Sequence, residues 1–116
     1  MDLLPVFMNL HGQLCLVTGS SLLAFQKIQL LLKTGARIHL HSQEKLCNEV
    51  EELLQQNLIN LIQTNLEDLD LRNYKLIIAT SDDFESNQSI AALAQKNNTP
   101  INVVDQPELC SFLLPS

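Results

Sequence analysis

The residues best placed to do chemistry lie in the run Gly19-Ser20-Ser21-Leu22-Leu23-Ala24, directly after the apolar stretch Leu14–Thr18. This is the spacing of a G-x-G-x-x-G/A turn, in which backbone N–H groups at a helix N-terminus hold the pyrophosphate of a dinucleotide. Gly19 fills the first position and Ala24 the last. Ser21 stands where a middle glycine would let the backbone approach the phosphates. Its Cβ crowds that approach, although its hydroxyl can donate a hydrogen bond to phosphate. The spacing leaves a second reading open, in which Ser20 or Ser21 caps the following helix and binds nothing.

Other reactive side chains are sparse. His39 and His41 share one face of an expected strand, at i and i+2, where metal ligands can sit. No third ligand lies within sequence reach, so no metal site is expected. Cys15, Cys47 and Cys110 are odd in number and irregularly spaced, which fits neither a disulfide framework nor a zinc pattern. Cys15 sits in an apolar run and reads as a small buried hydrophobe. Thr18-Gly19-Ser20 suggests a short-chain dehydrogenase, but that family needs a Tyr-x-x-x-Lys pair. The only tyrosine, Tyr74, is followed four residues on by Ile78.

These residues need a scaffold, and strand and helix signals alternate along the whole chain. Short apolar runs predict strands at Leu14–Thr18, Arg37–His41, Leu58–Ile62, Leu76–Thr80 and Ile101–Val104, with Ser111–Leu114 a candidate sixth. Helices are predicted over Ser20–Lys33, Glu44–Gln56 and Phe84–Lys96, the last after the capping-competent Ser81-Asp82-Asp83. In the first helix Gln26, Gln29 and Lys33 form a solvent stripe that also takes in Leu22, and Gly35 stands at its C-terminal cap. Leu66–Asn73 reads as a polar connection with one or two helical turns. Nearly all-apolar strands alternating with helices imply an α/β fold, a Rossmann-like parallel sheet of order 3-2-1-4-5 with helices on both faces.

Composition narrows the function classes. The 116 residues make a single domain, 1–116, with one core. The net charge of −6 and the absence of any Lys/Arg cluster argue against a nucleic-acid partner. Aromatics at 4% with no Trp leave no stacking platform for single strands. No apolar stretch approaches a membrane span, and the N-terminus lacks a basic leader, so the chain reads as cytoplasmic. No acidic residue ends the second strand, so NAD and NADP are not separated by the usual ribose-binding carboxylate.

Four separated segments resemble one family, the precorrin-2 dehydrogenase/sirohydrochlorin ferrochelatase domain at the N-terminus of siroheme synthases. They are MDLLPVFMNL, LCLVTGSSLLAFQKIQLLLKTGARI, LIIATSDDFESNQSIAALA and PINVVDQPELCSFLLPS. The last is the most specific, because no core demands its irregular polar spacing. The resemblance covers essentially the whole chain. It implies NAD-dependent oxidation of precorrin-2 to sirohydrochlorin, in some members followed by iron insertion.

The resemblance also implies roles for single residues. Asp105 matches the family's key acid at the end of the fifth strand, where a carboxylate could take a proton as general base. Without the resemblance, Asp105 reads as a turn residue before Pro107. Gly19, Ser20, Ser21, Ala24, Ser81, Asp82 and Asn87, with Asn102, Val103 and Val104, match positions that contact NAD. Here the family's glycine turn is reduced to Gly19-Ser20-Ser21, and its Arg-Lys pair is Gln26-Lys27. Family members continue into a dimer-forming segment and a small helical domain, which this sequence is expected to lack. The implied partners are the tetrapyrrole precorrin-2 and either a second subunit or another tetrapyrrole enzyme. The alternative is a non-catalytic nucleotide-binding or assembly module derived from the family.

Overall fold

Runs of Leu, Ile and Val without polar alternation form strands when both faces of a sheet are covered. In the computed structural model, which describes residues 2–115, five strands are present: β1 (Leu14–Thr18), β2 (Arg37–His41), β3 (Asn60–Ile62), β4 (Leu76–Ala79) and β5 (Ile101–Val103), of which the central β1 and β4 are such runs and β2 alternates polar with apolar residues. All neighbours are parallel, in the order β3-β2-β1-β4-β5. The fold is therefore the expected Rossmann-like α/β sheet. Its helices are α1 (Leu22–Leu32), α2 (Asn48–Gln55) and α3 (Phe84–Lys96).

Successive side chains of a strand point to opposite faces, and the two cores divide accordingly. Cys15, Val17, Ile38, Leu40 and Ile78 pack with Ala24, Ile28 and Leu31 of α1 and Val50 of α2. Leu16, Ile77, Ala79 and Val103 pack instead with Ile90, Ala91 and Ala94 of α3. Cys15 is fully buried, as expected of a small hydrophobe. The chain leaves the sheet at β3 and re-enters at β4, on the other side of β1. That reversal opens a crevice beyond the carboxyl ends of β1 and β4, where ligands of such sheets bind.

Three departures from the expected elements have a cause in the hydrogen bonding. Helix α2 begins at Asn48 rather than Glu44. The Ser42 hydroxyl accepts from Glu44 N–H at 3.2 Å, and Cys47 N–H reaches the Ser20 carbonyl at 2.9 Å, so Ser42–Cys47 is a loop tied to the first turn. Strand β3 spans Asn60–Ile62 only, because Asn57 turns left-handed (φ 59°) and Leu58 N–H bonds back to Leu53. No sixth strand forms at Ser111–Leu114. Ser111 N–H does meet the Ile101 carbonyl, but the Ser111 hydroxyl takes Ile101 N–H and the Asn102 amide takes the Phe112 carbonyl. Side chains thus intercept the groups a ladder would use. The Leu66–Asn73 connection holds two single 3-10 turns, at Leu66–Asp68 and Leu71–Asn73.

Candidate functional site

A cleft of about 650 Å³ lies over the carboxyl ends of β1 and β4, within the size range of small-molecule sites. Its floor is the turn Thr18–Ser21, and one wall is Ser81–Asp83 with the first turns of α3. The opposite wall comes from Ser42–Glu44 and from Asn65–Glu67. Six of the ten residues expected to contact NAD meet here: Gly19, Ser20, Ser21, Ser81, Asp82 and Asn87.

Gly19 is fixed by two demands. Its φ of +126° disfavours any side chain, and a Cβ there would overlap the Thr80 hydroxyl. Thr80 in turn donates from Oγ1 to the Thr18 carbonyl at 2.7 Å, locking the two strand ends together. The chain then enters α1 with Ser21 at the N-cap position in extended backbone, but no side chain caps the helix. The capping alternative for Ser20 and Ser21 is therefore not realised. The first N–H groups of α1, with the positive end of its dipole, stay free of a side-chain acceptor beside the cleft.

Across the cleft, α3 is capped in the ordinary way. Asp83 accepts from Glu85 N–H at 3.1 Å and from the Ser86 hydroxyl at 2.8 Å. One turn later Asn87, only 2% exposed, donates from Nδ2 to the Ser81 carbonyl at 2.8 Å. Its Oδ1 is buried and has no hydrogen-bond partner. Such an acceptor costs free energy unless something donates to it.

Charge in the cleft is one-sided. Glu44, Glu67, Asp82, Asp83 and Glu85 line it, and no Lys or Arg does. Glu44 lies three residues past β2, near where a ribose-binding acid is usual, and the sequence reading missed it. The expected helix over Glu44–Gln56 concealed it. Ser42, Gln43, Asn65 and Glu67 carry no motif and were equally silent.

Of the remaining candidates His41 also lines the cleft, and the others stand apart from it. Ala24 is fully buried against the sheet, where its small size admits close helix–strand packing. Val103 is core, Asn102 is occupied with Phe112, and Val104 N–H bonds the Ala79 carbonyl. Asp105 is exposed, in a turn closed by Gln106 N–H to the Val103 carbonyl at 3.1 Å, with φ +64°. Ala79 and Val103 are register partners, so Ser81 and Asp105 each lie two residues past one paired position. Both histidines have structural partners. His39 Nδ1 shares a 2.9 Å hydrogen bond with the Tyr74 hydroxyl, and His41 Nε2 donates to the Thr64 carbonyl at 2.6 Å. Burial, with Arg37 nearby, pulls the His39 pKa below its ordinary value.

Residues 6–116 match a protein family described as "Putative NAD(P)-binding". The chain belongs to this NAD(P)-binding family. Its full length is 40% identical to part of a siroheme synthase of Thioalkalivibrio sulfidiphilus and 42% identical to part of one of Nitrosomonas europaea. The chain spans about a quarter (24%) of each. The resemblance read from the sequence, to the NAD-binding domain of siroheme synthases, is borne out. Among solved structures, "SirC, precorrin-2 dehydrogenase" superposes with a TM-score of 0.78 at 21% identity, over 98% of this chain and 55% of that one. A glycerate dehydrogenase related protein from Thermoplasma acidophilum follows at 0.53 and 9% identity, over 99% of this chain and 49% of its own. Both likenesses concern the fold. Among the described residues no helix is long and apolar enough to cross a membrane.

Proposed function

We propose that this domain binds NAD in the cleft and takes part in the oxidation of precorrin-2 to sirohydrochlorin. The observation that carries the proposal is the pairing of free α1 N–H groups with the unpartnered Asn87 Oδ1 on either side of one cleft. A dinucleotide suits both. Its pyrophosphate is an anion for the helix N-terminus, and its ribose hydroxyls and carboxamide are donors for a buried acceptor.

When bound, the nicotinamide supplies an acceptor for the hydride that leaves the substrate. Gly19 lets the backbone turn tightly enough to present the α1 amides, and Ser20 and Ser21 offer hydroxyl donors to phosphate. Glu44, on the wall past β2, suits the hydroxyls of an adenosine ribose and repels a 2′-phosphate, which favours NAD over NADP. Asp105 is the base in this reading: its exposed carboxylate accepts the substrate proton. In members that insert iron, the same carboxylate would take protons from pyrrole nitrogens.

A second reading has a specific observation behind it. Ser21 replaces the middle glycine, and the cleft walls carry carboxylates without a cation, which weakens an anion site. A non-catalytic module that associates with another tetrapyrrole enzyme would tolerate both. The two readings separate when folded chain is incubated with precorrin-2 and NAD. Sirohydrochlorin formed by the parent protein and lost in Asp105→Asn supports the dehydrogenase. No product from chain that still binds NAD supports the module.

A further inference from the structure

The register of β2 with β3 ends at His41 and Ile62, and the chain then runs through residues 63–68, of which 65–67 form one wall of the cleft. Little within this segment holds it in place. All of it is exposed except Leu66, which packs half-buried on the α3 side of the core. Its 3-10 turn has no side-chain cap. Segments with so few buried contacts open locally unless something ties them down.

Two side chains at the end of β2 supply the ties. Gln43, which is exposed, donates from Nε2 to the Gln63 carbonyl at 3.3 Å and to Asn65 Oδ1 at 3.4 Å, both long for hydrogen bonds. His41 is 8% exposed and donates from Nε2 to the Thr64 carbonyl at 2.6 Å. A carbonyl only accepts, so the proton sits on Nε2. A short bond shielded from water is electrostatically stronger than two solvated ones. His41 also holds the turn at the tip of β1. Its carbonyl accepts from Gly19 N–H at 3.1 Å, and Thr18 is its register partner.

We infer that His41 is a positioning residue: it fixes the 65–67 wall against the Gly19 turn and so sets the adenosine end of the cleft. The inference rests on the proposed binding of NAD. In a sheet of this order the adenosine ribose lies beyond the end of β2, and the dinucleotide crosses the switch point from there. Loss of the Thr64 bond therefore acts on the adenosine half of the ligand and spares the nicotinamide half.

Calorimetric titration of the 116-residue chain with NAD, adenosine monophosphate and nicotinamide mononucleotide tests this. His41→Leu is expected to weaken NAD and adenosine monophosphate about tenfold and to leave nicotinamide mononucleotide unchanged. His41→Gln, whose amide nitrogen can donate to the same carbonyl, is expected to recover most of that loss. A residue that only supports the fold would move all three ligands together. Should His41→Leu not fold, imidazole NMR signals of the parent chain decide: adenosine monophosphate is expected to shift those of His41, and nicotinamide mononucleotide to leave them in place. Unaltered NAD binding in folded His41→Leu, an equal loss for nicotinamide mononucleotide, no recovery in His41→Gln, or the reverse pattern of shifts would overturn the inference. A parent chain that binds none of the three would remove the nucleotide reading itself, and this inference with it.

Discussion

Gly19 and Thr80 occupy one space: the side chain that Gly19 lacks is replaced by the Thr80 hydroxyl, which bonds the Thr18 carbonyl one residue before the turn. The tip of β1 is thereby clamped to β4, and the turn that starts α1 inherits its geometry from that clamp. Gly19→Ala is expected to cost about 2–4 kcal/mol, combining a disfavoured φ with steric overlap. Thr80→Ala alone loses a buried hydrogen bond, about 1 kcal/mol. In the double variant the overlap is gone, so urea unfolding should give a cost below the sum of the singles.

Asp105 is the reverse case, a side chain held where glycine would be easier. Its φ of +64° is tolerated by Asp better than by most residues. Asp105→Gly should leave stability unchanged or raise it by up to about 1 kcal/mol. Under the proposed function, the same substitution, and Asp105→Asn, should abolish precorrin-2 oxidation. Stability and turnover moving in opposite directions would mark a residue kept for chemistry. A large loss of stability in Asp105→Gly would show that the carboxylate holds the turn instead.

Acid should weaken the fold through His39. Burial, and then the charge of Arg37, lower its pKa from the ordinary 6.5, so the folded protein holds it neutral while the unfolded chain takes up a proton. The stabilisation is complete above the unfolded pKa and declines as pH falls through 6.5 toward the folded value. Unfolding free energies measured between pH 7 and 5 should therefore fall, and fall less steeply in His39→Gln. Equal slopes in the two proteins would contradict the assignment.

The sheet was legible because β1 and β4 are nearly continuous apolar runs and the other strands are short apolar segments between helices, and strand order follows from helices between parallel strands. Gly35 was legible too: with φ +80°, its missing Cβ leaves room for the His11 ring. The errors arose where side chains compete with backbone. Glu44-Lys45-Leu46 has the composition of a helix, and only the Ser42 turn and the bond from Cys47 to Ser20 make it a loop. Ser111 and Asn102 likewise divert the groups that a sixth strand would have paired. Half of the cleft could be read from Gly19–Ser21, Ser81, Asp82 and Asn87. The other half, Ser42–Glu44 and Asn65–Glu67, comes from two further crossovers and has no pattern of its own.

The central claim is that the uncapped α1 N-terminus and Asn87 hold a nicotinamide dinucleotide, and calorimetric titration of NAD and NADH into the folded chain tests it most directly. The account predicts saturable binding, weakened about tenfold or more when Asn87→Ala removes the buried acceptor or Ser21→Asp sets a carboxylate at the helix N-terminus. Heat that stays flat to millimolar ligand, or binding that neither substitution alters, would contradict it.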